Sequence, residues 1–210
     1  PSLRTGSPDP VQEYADYRAS AAGGGYRPLI VEVEQLYEQF GYGVARHPQA
    51  FRNFGHYLQR EGPTPQYALI IGKGREYPDL RSAQALQAAI DDGSFYVPSF
   101  GYPASDHLLF STNQSAVPLC PVGRIVASEP RQIDIYLRKV RDHEASDALP
   151  QSIEQRAWTK RVIHLGGGGL AAEQQTIRNR LDDMKEVIKQ NEFGGNVVSF
   201  FKTNTEPIQS

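Results

Sequence analysis

Two short segments, Tyr67-Ala68-Leu69-Ile70-Ile71 and Val162-Ile163-His164-Leu165, lead straight into glycines at Gly72 and Gly166. Runs this short are strands rather than amphipathic helices, and the first has no charged position, the habit of a strand buried on both faces of a parallel sheet. Parallel strands need a crossover of a dozen or more residues, usually a helix. The chain is therefore expected to alternate helices with strands, an α/β fold, and the intervening sequence supplies the helices.

Asp9-Pro10-Val11-Gln12 offers an aspartate cap, a proline at the first helical position and a glutamine three residues after the cap, so a helix starts there with Val11, Tyr14, Ala15 and Arg18 on one face. Residues 28–33 read as a strand ahead of the loop at Gly41 and Gly43. Pro48 opens a helix carrying Ala50, Phe51, Phe54, Tyr57 and Leu58 on one side, closed by Gly62-Pro63. After the strand at 67–71 come a helix over 81–90, brief extended pieces at 96–98 and 108–110, a strand at 121–127, and a helix over 130–144 with a stripe of Ile133, Tyr136, Leu137 and Val140.

Polar residues with Pro150 and no sustained period place a linker at 146–157. This divides the chain into a first α/β subdomain over 1–145 and the opening βαβ of a second over 158–210. That unit holds a strand at 161–165, the glycine loop 166–169, a helix over 171–191 with Ile177, Leu181, Met184 and Ile188 facing the sheet, and a strand at 196–202. The chain opens on Pro1 and its single methionine is Met184, so it is expected to be a segment of a longer protein.

Composition excludes several functions. A net charge of −2 with interspersed signs offers no basic field for a phosphate backbone, so no nucleic-acid partner is expected. No apolar run approaches the roughly 20 residues of a membrane span. The lone Cys120 makes neither an internal disulfide nor a cysteine-ligated zinc site, and the five histidines show no paired ligand spacing, so no metal site is expected. The four glycines Gly166, Gly167, Gly168 and Gly169 stand where backbone amides could cradle an anion, yet they match neither nucleotide-binding fingerprint, and a plain βα turn is the simpler reading. Gly72-Lys73-Gly74-Arg75 is too short for a phosphate loop and reads as a tight turn. Cys120, between Pro118 and Pro121, reads as a packing residue.

Several segments in order carry a family likeness: Val33-Glu34-Gln35-Leu36-Tyr37-Glu38-Gln39-Phe40 with Gly41-Tyr42-Gly43, then His47-Pro48-Gln49-Ala50-Phe51-Arg52-Asn53-Phe54, Tyr67 to Gly74, Val97-Pro98-Ser99 with Ser105-Asp106-His107, and Pro121-Val122-Gly123-Arg124-Ile125. Together they resemble the gingipain-type cysteine peptidases, a caspase-like group that includes the surface sortase of bacterial type IX secretion. The resemblance implies two side-by-side parallel-sheet subdomains, the second bearing a general-base histidine and a later nucleophilic cysteine, both downstream of Ser210. It implies a secreted or cell-surface protein, a peptide or protein substrate in the intact enzyme, and the remainder of the peptidase domain as structural partner. No cofactor is implied beyond a possible structural calcium, for which the chain has no D-x-[DN]-x-[DN]-G loop.

On this reading no catalytic residue lies within the chain, which serves as scaffold and part of the cleft wall. The cleft candidates are Gly166, Gly167, Gly168 and Gly169, with Asp106 and His107. The family places acids after the strand matching 162–165, whereas here Gly166 to Leu170 carry none before Glu173. The alternative is a catalytically inactive peptidase fold serving interaction or secretion assembly.

Overall fold

The computed structural model describes residues 2–76, 78, 81–93, 95–111, 115–147 and 152–206, and separates into two compact units, Pro1–Ala148 and Leu149–Ser210. Each contains one two-stranded parallel sheet with helices, so the α/β expectation holds.

In unit 1, β1 (Ala68–Ile71) and β2 (Val122–Ile125) pair in parallel, Ala68 opposite Val122 and Ile71 opposite Ile125. Alternation sends successive side chains to opposite faces. Ala68, Ile70 and Val122 join a core built by α2 (Val33–Phe40) and α3 (Gln49–Glu61) through Leu36, Tyr37, Ala50 and Phe51. Ile71 and Ile125 join a second core with Leu3, Ala127 and Ile133, against α1 (Pro10–Ala19) and α5 (Pro130–Asp147). The sheet thus lies between two helical layers. The second layer is incomplete, because Leu69 is 39% exposed and Tyr67 62%, so the expectation of burial on both faces holds only toward the end of β1.

Side-chain caps mark two helix starts in this unit. The Asp9 carboxylate accepts from the Val11 and Gln12 amides, and Pro10 occupies the first helical position of α1. Arg4 reinforces that cap with 2.6 Å bonds to Asp9 and Glu32. Ser82 caps α4 (Ala83–Asp91) by accepting from Ala85 N–H. The far end of α1 is tied to α5, where Glu144 accepts from Arg18 at 2.7 Å and from the Tyr17 hydroxyl at 2.6 Å.

Two expectations need correction. Residues 28–32 form no ladder with any described strand, and Leu29 is 70% exposed. Val33, Leu36, Tyr37 and Phe40 recur at the spacing of one helical face, and that pattern begins α2 at Val33 instead of ending a strand there. The extended piece expected at 108–110 is a 3-10 helix, Asp106–Phe110, because consecutive residues Leu109 and Phe110 are both buried, which a strand on one sheet face cannot achieve. Within the expected linker, residues 148–151 lie outside the described residues, while Ile153–Arg156 form a helical turn, α6, with a capping box between Ser152 and Gln155.

In unit 2, β3 (Arg161–Gly166), α7 (Ala171–Ile188) and β4 (Asn196–Phe201) form a βαβ unit, with β3 and β4 parallel and Arg161 opposite Asn196. His164, Gly166 and Val197 are buried on the face that α7 covers, where Leu181 lies against Gly166 and Ile188 against Gly195. Met184, expected on that stripe, is 54% exposed, and Lys185 one position on is half-buried. The opposite sheet face exposes Ile163, Leu165, Val198 and Phe200.

Candidate functional site

Ligands in open α/β sheets bind outside the carboxyl ends of the strands, where connecting loops diverge. Both units have such an edge, and the candidates divide between them: the four glycines follow β3 in unit 2, and Asp106 with His107 lies near the ends of β1 and β2 in unit 1.

The glycine loop is held from both sides. The Gly166 carbonyl accepts from Lys202 N–H at 2.8 Å, carrying the ladder past the end of β4. A Cβ at Gly166 would stand 2.5 Å from Phe201 Cδ1, so only glycine lets β3 end this close to that ring. Gly168 has φ +119°, the left-handed region that glycine tolerates best. Gln174 Nε2 donates to the Gly168 carbonyl at 3.0 Å and to the Asn204 carbonyl at 2.6 Å, tying the loop to the segment after β4. Gly167 has open space where a side chain would project.

Glu173 decides what this edge can accept. Its carboxylate takes the Gly169 N–H at 2.8 Å, placing a negative charge in the first turn of α7 where a bound anion would lie. An amide already committed to a carboxylate does not cradle a phosphate, which removes the main support for nucleotide binding. What remains is a backbone edge with open space at Gly167 and the Glu173 carboxylate at its rim. His164, two residues before the loop, is only 6% exposed, and its Nδ1 has no hydrogen-bond partner. It is held under α7 and not displayed at the edge.

Unit 1 answers differently. Arg124 on β2 donates to both Asp106 oxygens at 2.7 Å, to the Gly72 carbonyl at 2.7 Å, to Val97 at 3.1 Å and to Pro98 at 2.9 Å. Ser99 Oγ adds a bond to Asp106 at 2.9 Å. Burial alone would raise the Asp106 carboxyl, but Arg124, with Ser99, holds it below the ordinary carboxylate range. Asp106 is the acceptor of a clamp that fastens the 97–99 segment to the end of the sheet, while His107 beside it is exposed. Arg124 entered the sequence reading only as part of a motif. Nothing in its sequence neighbourhood shows that one guanidinium reaches three separate carbonyls.

The loop at Gly72 is a stitched turn: its N–H donates to the Ile125 carbonyl, Lys73 N–H donates to Ala127, and the Lys73 carbonyl accepts from Tyr96 and Val97. Arg75 pairs with Asp92 at 3.6 Å. Among the described residues no group of three or more His, Cys, Asp or Glu side chains could hold a metal ion, and no helix is long and apolar enough to cross a membrane.

Residues 8–207 match the family model described as peptidase family C25. The chain belongs to the gingipain family of cysteine peptidases. Comparison with curated proteins and with solved structures gives no match. Membership in C25 makes thiol-dependent peptide hydrolysis the chemistry of the family, and proteins its substrates. In this C25 chain the single thiol, Cys120, is buried, and burial pushes it above its ordinary pKa. A peptidase nucleophile needs the opposite, an accessible thiol stabilised as thiolate.

Three depressed carboxyls give unit 1 of the C25 chain a pH signature. Burial raises each, but Asp9 is held low by Arg4 and the α1 amides, Glu144 by Tyr17 and Arg18, and Asp106 by Arg124. Folded values below the unfolded ones mean that the stabilisation is complete above the ordinary range near pH 4 and is lost as pH falls through the depressed values. Acid titration followed by far-UV circular dichroism should show unit 1 helices holding to about pH 4 and melting below it. A helical signal unchanged down to pH 2 would contradict this.

Proposed function

We propose that this chain is the N-terminal part of a gingipain-like cysteine endopeptidase, in which it forms the supporting sheets and part of the cleft wall, while a cysteine and a histidine downstream in sequence perform the hydrolysis. The observation that carries the reading is Cys120: a chain of a cysteine-peptidase family whose one thiol is buried and hard to ionise draws its nucleophile from elsewhere. The downstream thiolate attacks the peptide carbonyl, the histidine moves the proton to the leaving amine, and backbone amides hold the oxyanion. Gly166, Gly167, Gly168 and Gly169 are the first candidates for cleft-lining backbone in this scheme, and Asp106 with His107 the second. The resemblance to gingipains also supports a secreted or cell-surface location.

The test compares the 210-residue chain with a form extended past Ser210, each treated with a peptide-based thiol-reactive probe. Labelling of the extended form alone, at a cysteine other than Cys120, is expected. In the short chain Cys120 should react with a simple disulfide reagent only once denaturant is added. Rapid native labelling of Cys120 by the peptide probe would overturn the assignment, and an extended form that never labels would favour the inactive, interaction-module alternative.

A further inference from the structure

Two loops at the carboxyl edge of the unit 1 sheet carry tips that the hydrolysis scheme leaves unused. Gly41-Tyr42-Gly43-Val44-Ala45 lies between α2 and α3, and Gly101-Tyr102-Pro103-Ala104 precedes the 3-10 helix that starts at Asp106. Each tip is a glycine-tyrosine pair followed by small or apolar residues, with no charge and no side-chain amide. Tyr42 is 87% exposed, Val44 53% and Tyr102 73%.

Both loops are fastened at the same end of unit 1. The first is held by Arg46, whose guanidinium lies 5.9 Å from the Phe95 ring centroid, and the Tyr96 and Val97 amides that follow Phe95 donate to the Lys73 carbonyl just beyond β1. A Cβ at Gly41 would stand 3.1 Å from the Ala50 side chain in the first turn of α3. Two residues on, Arg52 lies 4.9 Å from the ring centroid of Phe100, which opens the second loop. That loop closes through Ser105 N–H to the Phe100 carbonyl at 2.8 Å, and Arg124 on β2 holds Pro98 and Asp106 on either side of it. The exposed tyrosines therefore stand on anchored turns at the edge where α/β sheets bind ligands.

The first tip is also strained. Tyr42 has φ 56°, a conformation in which a bulky residue is an outlier. The turn is enforced by Gly41 and Gly43 N–H, which both donate to the Tyr37 carbonyl at 3.1 and 2.9 Å, and by Val44 N–H, which donates to the Gly41 carbonyl at 2.9 Å. Glycine would take this position freely, and so exposed a ring adds nothing to the core. Strained backbone gathers at sites that bind, and here it displays an aromatic ring to solvent. Tyrosine beside glycine is the composition of binding loops, because the ring gives a large contact area with few rotatable bonds. Sites for sugars and nucleotides set polar side chains against hydroxyls and charges, which these tips lack, so the apolar side chains of a polypeptide are the better match.

We propose that the 41–45 and 101–104 loops form a recognition surface for an extended polypeptide, with Tyr42, Val44 and Tyr102 packing on its apolar side chains. The class of partner rests on the peptidase reading, since proteins are the substrates of the family. The surface itself lies wholly in unit 1 and needs no nucleophile to bind.

The test follows the backbone amides of the full 210-residue chain by NMR while reduced, carbamidomethylated α-lactalbumin is added as an unfolded polypeptide. Amides in the two tips should shift together and saturate, with a midpoint that changes less than about twofold between low and high salt, as contacts without charge require. Tyr42→Gly relieves the strained turn, so it should keep or raise the Tm while weakening binding several-fold, and unfolding then cannot account for the loss. Tyr102→Ser on the other loop should also weaken binding several-fold. Maltoheptaose added in place of the polypeptide should leave both tips unmoved. Shifts that rise linearly, that vanish at high salt, that appear equally with the sugar, or that are the same in both variants as in the parent chain would overturn the proposal. Binding by the 210-residue chain is read without hydrolysis, so a downstream cysteine that never labels counts against the peptidase assignment alone, and absent tip shifts count against this surface alone.

Discussion

Replacing Arg124 with methionine is expected to destabilise unit 1 by about 3 kcal/mol. The guanidinium side chain is 9% exposed and its Asp106 partner 24%. Removing it leaves a partly buried carboxylate uncompensated and takes donors from the Gly72, Val97 and Pro98 carbonyls. Losing one partner of a buried pair costs more than never having had the pair, because the stranded charge keeps its desolvation penalty. Asp106→Leu in the Arg124→Met background should therefore recover part of the loss, leaving the unpaired carbonyls as the remainder. Urea unfolding with hydrogen exchange read at the β1 and β2 amides would measure both variants. A loss under about 1 kcal/mol in the single variant, in the range of exposed pairs, would show that the clamp is not structural.

Truncating Leu109 to alanine is expected to cost about 3 to 4 kcal/mol. Leu109 is completely buried in the cluster of Phe51, Phe110, Val97 and Ile70, where aromatic rings meet edge to face, Phe51 and Phe110 at 6.4 Å. Rings locked in this way close poorly around a lost isobutyl group, so the cavity persists and adds to the transfer loss. The midpoint of urea unfolding should fall with little change in slope. Leu108→Ala, one residue earlier and only half-buried, is the control, expected to lose less than half as much. Equal losses at the two positions would contradict the difference in burial between them.

The glycine loop and the Arg124 clamp differ in how far the sequence disclosed them. The four glycines were visible because a strand pattern precedes them and a helix pattern follows, and strand ends in α/β folds are where ligands bind. Their occupancy was not visible: Glu173 lies four residues beyond Gly169, and only the helical turn of α7 brings its carboxylate back to that amide. Asp106 attracted notice as a loop carboxylate beside a histidine, yet its meaning rests on Arg124, 18 residues away along the chain. The left-handed backbone at Tyr42 and Arg46 had no signal at all, since a left-handed φ at a non-glycine residue leaves no mark in composition or period.

What the sequence determined by itself was everything governed by short-range geometry and count. The Asp9-Pro10 helix start, the helices after Pro48 and Pro130, the strands around Ile70, Ile163 and Val198, and the absence of a second thiol follow from residues within one or two turns of each other, or from simple inventory. The tertiary structure decided the cases in which two local tendencies competed. Segment 28–33 has the branched residues of a strand, but a strand needs a partner to satisfy its backbone, and none of the described strands pairs with it, so helical spacing from Val33 onward prevailed. Likewise Leu109 and Phe110 became a 3-10 turn because one core could bury both. Cys120 became a buried thiol with its pKa pushed up for the same kind of reason: its setting is made by what packs around it, and packing is a property of distant residues brought together.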